Sequence, residues 1–142
     1  MTIPVLALAK ATPVVLPPWR LARSARGARA HLGGMSAEEA VARHYARRGL
    51  QVAARRWRGS GGEIDLILRD GADLVFVEVK AAQTLAVAAS RLTRRQMDRI
   101  CLSALDFLKG EPRGLLTAMR FDLATVDRQG VIDILPNAFG ET

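Results

Sequence analysis

The spacing of apolar positions changes period several times along the chain, and each change marks an element. Between Ser36 and Gly49, Ala37, Ala40, Val41, His44 and Tyr45 recur three and four residues apart, which lines one face of a helix. Ser36 with Glu39 reads as a capping box, hydroxyl and carboxylate each satisfying a backbone N–H at the helix start. Gly49 closes the element. Residues 50–57, LQVAARRW, predict a strand, and the glycine-rich RGSGG turns the chain. Two strands over about 63–69 and 74–81 follow, joined by DGAD. Helical spacing returns at Met97, Ile100, Cys101, Ala104 and Leu108, with Thr93 and Gln96 as a second capping box and Gly110 and Pro112 as the stop. The preceding TLAVAASR fits helix and loop alike. AMRFDLATV and VIDIL then alternate as two strands around DRQG. The order α-β-β-β-α-β-β predicts an α/β fold with a mixed sheet.

The hairpin GGEIDLILRDGADLVFVEVK carries the unusual chemistry. Side chains alternate faces along a strand. That places Ile64, Leu66, Leu68, Val75, Val77 and Val79 on one face. Glu63, Asp65, Ile67, Leu74, Phe76, Glu78 and Lys80 fall on the other. Two even-length turns are natural. With Gly71 and Ala72 in the turn, Asp65 lies opposite Glu78 and Glu63 opposite Lys80. With Asp70 and Gly71 there, Glu63 lies opposite Glu78. A bulge would alter either pattern. Like charges across a strand pair are destabilising, and beside Ile67, Leu74 and Phe76 they repel more strongly in a lower dielectric. Such carboxylates need protons or a cation. Oxygen ligands without His or Cys suit a hard ion, Mg2+ or Mn2+, and a metal next to Lys80 suits phosphodiester hydrolysis. The competing reading is a surface hairpin whose charges keep an edge soluble.

Composition narrows the setting. Hydrophobic residues make up 49% and charged residues 25% of 142, a globular balance with room for one core. The net charge of +7 favours an acidic partner, nucleic acid before an anionic surface. Much of that charge lies in residues 1–34, which hold Lys10, Arg20, Arg23, Arg26 and Arg29 and no acid. This segment also holds Pro4, Pro13, Pro17 and Pro18, and it predicts a disordered basic extension before a domain over 35–142. Its composition also resembles a transit peptide. Its apolar run VLALAKAT is too short to cross a bilayer, so no membrane partner is expected. Cys101, the single cysteine, forms no internal disulfide and fits a cytoplasmic setting and a core position. His44 sits within an apolar stripe and predicts a packed side chain.

The segments AEEAVARHYARRG, RRWRGSGGEIDLILRDGADLVFVEVK, LTRRQMDRI, RFDLATV and the late NAF together resemble the YraN family. That bacterial family is similar to PD-(D/E)XK nucleases of the Holliday-junction-resolvase type. The resemblance spans about residues 34–139 and implies a restriction-endonuclease-like core. It implies Asp65 and Glu78 as metal ligands, Lys80 as the catalytic lysine, and Glu38 as an acid on the first helix that completes the site. Glu63 joins the metal candidates from the hairpin pattern. Gln96 matches a polar position of the second helix. The chain departs from the family pattern at Ala37, where Gly is usual before Glu38, at the GSG loop, which is often basic, and at Ala81–Gln83 after VEVK. These departures remove phosphate contacts, while the carboxylates stay.

Arg55, Arg56 and Arg58 before the hairpin, and Arg94 and Arg95 at the start of the second helix, are the candidates for holding a DNA backbone, with a helix N-terminus favouring phosphate. For each the competing reading is a solvated basic face, and Trp57 reads as core or as a base-stacking side chain. Three functions follow: a metal-dependent endonuclease on DNA, branched DNA included; a nucleic-acid-binding module of the same fold without catalysis; and an interaction protein. By analogy with resolvases, a homodimer is also an expectation.

Overall fold

The computed structural model describes residues 35–139, so the extension expected over 1–34 lies outside them. The order is α1 (Ala37–Ala46), β1 (Gln51–Gly59), β2 (Gly62–Asp70), β3 (Asp73–Ala81), α2 (Leu85–Ser90), α3 (Arg94–Leu108), a 3-10 turn (Gly114–Leu116), β4 (Met119–Val126) and β5 (Ile132–Leu135). The strands form one five-stranded sheet in the order β1-β2-β3-β4-β5, antiparallel except for the parallel pair β3–β4. Every predicted element is present. The ambiguous segment before α3 is a six-residue helix capped by Thr84, whose hydroxyl accepts from the Val87 N–H at 3.1 Å.

The sheet has a core on each face. On one side α1 packs Val41 and Tyr45 against Leu66, Leu68, Val75, Val77, Ala124 and Val126. On the other, α3 packs Ile100, Cys101, Ala104 and Leu108 against Ile64, Ile67, Leu74, Phe76, Met119 and Phe121. His44 and Cys101 are buried as expected, and burial pushes the Cys101 thiol up to about 11. Trp57, partly buried, packs against the α3-side core and meets Phe107 edge to face at 5.2 Å.

The two helix caps turn out differently. At α3 both halves of the box form: the Gln96 N–H donates to Thr93 Oγ1 at 3.1 Å, and Thr93 N–H donates to Gln96 Oε1 at 3.2 Å. At α1 the Ser36 half forms, while the Glu39 carboxylate accepts from Arg55 at 2.7 Å and Arg43 at 3.5 Å. Two guanidiniums outbid a neutral amide for that carboxylate.

The hairpin adopts the register with Gly71 and Ala72 in the turn, Asp70 opposite Asp73. Gly71 has φ 64°, which glycine adopts without strain. One face assignment needs correction. Ile64 belongs with Ile67, Leu74 and Phe76 on the α3 side, not with Leu66 and Leu68. Strict alternation therefore fails between Ile64 and Ile67, at Asp65. On β1 the register runs from Arg55↔Leu66 to Trp57↔Ile64, which sets Arg56 across from Asp65, and Arg56 has φ 46°. A left-handed residue in one strand facing a face change in the next is how an irregular strand pair re-aims a side chain.

The glycine-rich turn between β1 and β2 lies under α3. A Cβ on Gly61 would meet the Arg99 carbonyl oxygen, and one on Gly59 would come within 2.8 Å of Ser103. α3 also grips the turn through polar bonds: Ser60 N–H donates to Asp106 at 2.7 Å, and Ser103 Oγ bridges the Gly61 N–H and the Gly62 carbonyl. The GSG loop is therefore small because a helix passes over it.

Candidate active site

The site forms where β2 and β3 part. Their backbone pairing ends at Leu66↔Val77, whereas β3 continues along β4 to Ala81↔Val126. Beyond the fork, the Val79 N–H donates to Asp65 Oδ2 at 2.8 Å. A side-chain carboxylate thus takes the place of a strand carbonyl, which fixes Asp65 against β3. Glu78 on the neighbouring strand comes close enough for its carboxyl and that of Asp65 to act on each other, and Lys80 Nζ lies 3.1 Å from Glu78 Oε2. Glu78 and Lys80 are mostly enclosed, with side chains 10% and 16% exposed.

The electrostatics follow from that enclosure. Burial, then the Asp65 charge, pushes the Glu78 carboxyl up to about 7, against the opposing pull of Lys80. Asp65 is also raised, first by burial and then by the Glu38 charge, although the Val79 N–H and Lys80 pull it down. Near neutral pH the two carboxylates therefore favour sharing a proton over carrying two charges.

Glu38 projects from the first turn of α1 and is near enough to act on Asp65, but its carboxylate is engaged elsewhere. Arg56 donates to Glu38 Oε1 from Nη2 at 3.0 Å and from Nε at 3.3 Å. Among the described residues, no three His, Cys, Asp or Glu side chains gather in a group able to hold a metal ion. The residues present still fit Mg2+ or Mn2+ chemically. Asp65 and Glu78 are paired oxygen donors whose charged forms repel, which a divalent cation would relieve. Glu38 is the nearby third carboxylate that has not joined them.

The remaining candidates fall in different places. Glu63 is exposed near the start of β2 as the register partner of Arg58, and the change of face at Asp65 separates it from the pattern that grouped the two. Arg55 pairs with Glu39, and Arg58 is exposed. Arg94 pairs with Asp98 at 3.6 Å within α3, and Arg95 is exposed. The Gln96 carboxamide is occupied as a cap. Arg91, after α2, donates to the Ala81 carbonyl at 3.1 Å and so ties down the end of β3.

One polar cluster escaped the sequence reading. On β4, Arg120 and Asp122 are fully buried and joined at 3.0 Å, and Tyr45 from α1 donates to Asp122 at 2.8 Å. The Asn137 N–H adds a bond at 3.2 Å. The available signal was R-x-D, a cation and an acid two apart on a strand and hence on one face.

A five-stranded mixed sheet between helices, with an acid–acid–lysine group at a strand fork, defines an α/β protein with a restriction-endonuclease-like core. The model of the uncharacterised protein family UPF0102 matches residues 37–126. The chain belongs to that family, the YraN family of the sequence resemblance. A UPF0102 protein of Cereibacter sphaeroides is 61% identical over 109 residues, 77% of this chain and 93% of the relative. One of Ruegeria pomeroyi is 53% identical over 119 residues, 84% and 97% of the two chains. One of Dinoroseobacter shibae is 49% identical over 122 residues, 86% and 91%. No helix among the described residues is long and apolar enough to cross a membrane.

Proposed function

We propose that the chain is a divalent-metal-dependent endonuclease that hydrolyses phosphodiester bonds in DNA, with Asp65 and Glu78 as metal ligands, Glu38 as a third, and Lys80 as the catalytic lysine. The observation that carries this reading is the meeting of Asp65, Glu78 and Lys80 at the fork of β2 and β3. A bound Mg2+ or Mn2+ would polarise a phosphoryl oxygen and lower the pKa of a water. The Val79 N–H holds Asp65 in one orientation. A bound cation would take the place of the proton that the Glu78 carboxyl favours. Lys80 supplies an ammonium beside the site to stabilise charge developing on phosphate. Arg55, Arg58, Arg94 and Arg95 supply exposed positive charge for a backbone that they would position rather than read.

The test is cleavage of linear, single-stranded and four-way-junction DNA by the purified protein with Mg2+, Mn2+ or chelator. Metal-dependent cleavage that Asp65→Asn and Lys80→Ala each reduce by at least about 100-fold is the expected result. Cleavage that survives both substitutions, or ignores chelator, rules out this site. The engagement of Glu38 by Arg56 also favours a second reading, a DNA-binding module without catalysis. That reading expects salt-dependent binding unaffected by chelator.

A further inference from the structure

We infer that Arg56 is a positioning residue for the third carboxylate: it engages Glu38 so that Glu38 does not form one metal-holding group with Asp65 and Glu78, and a divalent cation must displace it. This rests on the proposed metal site.

Three observations support it. Arg56 makes two bonds to one oxygen of Glu38, at 3.0 and 3.3 Å. Of the two nearby arginines of β1, it is the one that takes Glu38, because Arg55 is turned to Glu39. Its backbone is in the left-handed region, at φ 46°, where β1 faces Asp65. Such a conformation is uncommon for a residue with a side chain, and here it accompanies the turn of the guanidinium toward α1. The side chain is 67% exposed and that of Glu38 31%, so the contact lies at the rim of the site, where it can exchange without unpacking either core.

The consequence is a competition. With Arg56 on Glu38, the fork holds two carboxylates and a cation finds an incomplete set. A divalent cation that draws Glu38 in releases the guanidinium beside Asp65. There it can bind the phosphate of an arriving strand, since an arginine fork suits phosphate as it suits carboxylate. The same residue then lowers metal affinity and raises affinity for DNA.

Mn2+ binding by titration calorimetry and DNA binding across a salt series test this together. Arg56→Gly is the preferred variant, because glycine accepts the backbone conformation, and Arg56→Gln is the companion that keeps a polar side chain. Both should bind Mn2+ more tightly than the wild type, by about fivefold. Both should bind DNA more weakly, with the log–log salt slope reduced by about 1. In a Glu38→Gln background, Arg56→Gly should bring no gain in Mn2+ affinity. Arg43→Gln, which removes an equal charge from the partner of Glu39, should leave Mn2+ affinity unchanged.

Unchanged or weaker Mn2+ binding in both Arg56 variants overturns the inference. So does an equal gain in the Glu38→Gln background or in Arg43→Gln, since either reduces the effect to bulk charge. If the wild type binds Mn2+ and Asp65→Asn abolishes that binding, the metal site stands whatever Arg56 does. If no variant binds Mn2+, the site and the inference fall together.

Discussion

Two clusters in this molecule are built from arginine, lysine and carboxylate, and they do opposite things with them. On β4, Asp122 sits fully buried among donors: Arg120, the Tyr45 hydroxyl and the Asn137 N–H. Burial pushes its carboxyl up, and those donors pull it back down. At the fork of β2 and β3, Asp65 and Glu78 share one ammonium, from Lys80, and the Arg56 guanidinium is turned to Glu38. The first cluster is matched within the fold. The second has two carboxylates for one ammonium, so it balances only by taking up a proton or a cation. Burial of charge is therefore a poor guide to function by itself; the imbalance left after the fold's own partners are counted is the better one.

The sharpest way to break this contrast is to remove one acid from each cluster. Asp122→Ala removes the buried carboxylate that Arg120 and Tyr45 both bond and should cost about 3–5 kcal/mol, whereas Asp65→Asn keeps an acceptor for the Val79 N–H and should cost nothing or stabilise. Urea denaturation at pH 7.5 measures both, and equal losses would dissolve the distinction.

A pH series separates the clusters next. Glu78 has a folded pKa of about 7 against an ordinary 4.5, so between those values the folded state binds the proton more tightly than the unfolded chain does. Stability then falls as pH rises from about 4.5 to 7. The loss is on the order of 2 kcal/mol, reduced from the full shift because Asp65 and Glu78 titrate together. Glu78→Gln should flatten that slope in denaturation midpoints from pH 5 to 8. Mn2+ added at pH 8 should restore stability to the wild type and not to the variant.

Smaller effects test the edges of the comparison. Tyr45→Phe removes one donor from Asp122 and should cost about 1–2 kcal/mol, visible as a lower thermal midpoint. Arg94→Gln breaks an exposed pair with Asp98 and should change stability by less than about 0.5 kcal/mol. A larger loss in the same melting experiment would mean that α3 uses Arg94 for more than solvation.

Much of this is legible in the sequence itself. Thr93 and Gln96 announce the start of α3 because a capping box is a local exchange of bonds, complete within four residues. The hairpin register was one of two that its turn residues allow, and Gly71 accommodates the one adopted. Asp65, Glu78 and Lys80 could be grouped because alternation along β3 and pairing across the hairpin both point to them. Glu63 was grouped by the same rule, and the rule breaks at Asp65, where β2 changes face opposite Arg56. Nothing local in EIDLI marks that change; it comes from fitting β1 and β2 between two cores. α2 was unreadable for another reason: six residues complete too few turns to display a period.

The order of the elements apart from α2, the cap of α3, the hairpin and the supply of carboxylates and lysine were determined by sequence alone, since each depends on residues close along the chain or paired across one turn. Tertiary structure decided the parallel docking of β4 on β3, the closing of Tyr45 over Asp122, and the seating of GSG beneath α3. It also decided that Arg56, read from sequence as a DNA contact, lies on Glu38. Those arrangements join residues 18 to 77 positions apart. Contacts at that separation form only when packing has brought whole elements together, and no spacing along the chain encodes which partner a charge will meet.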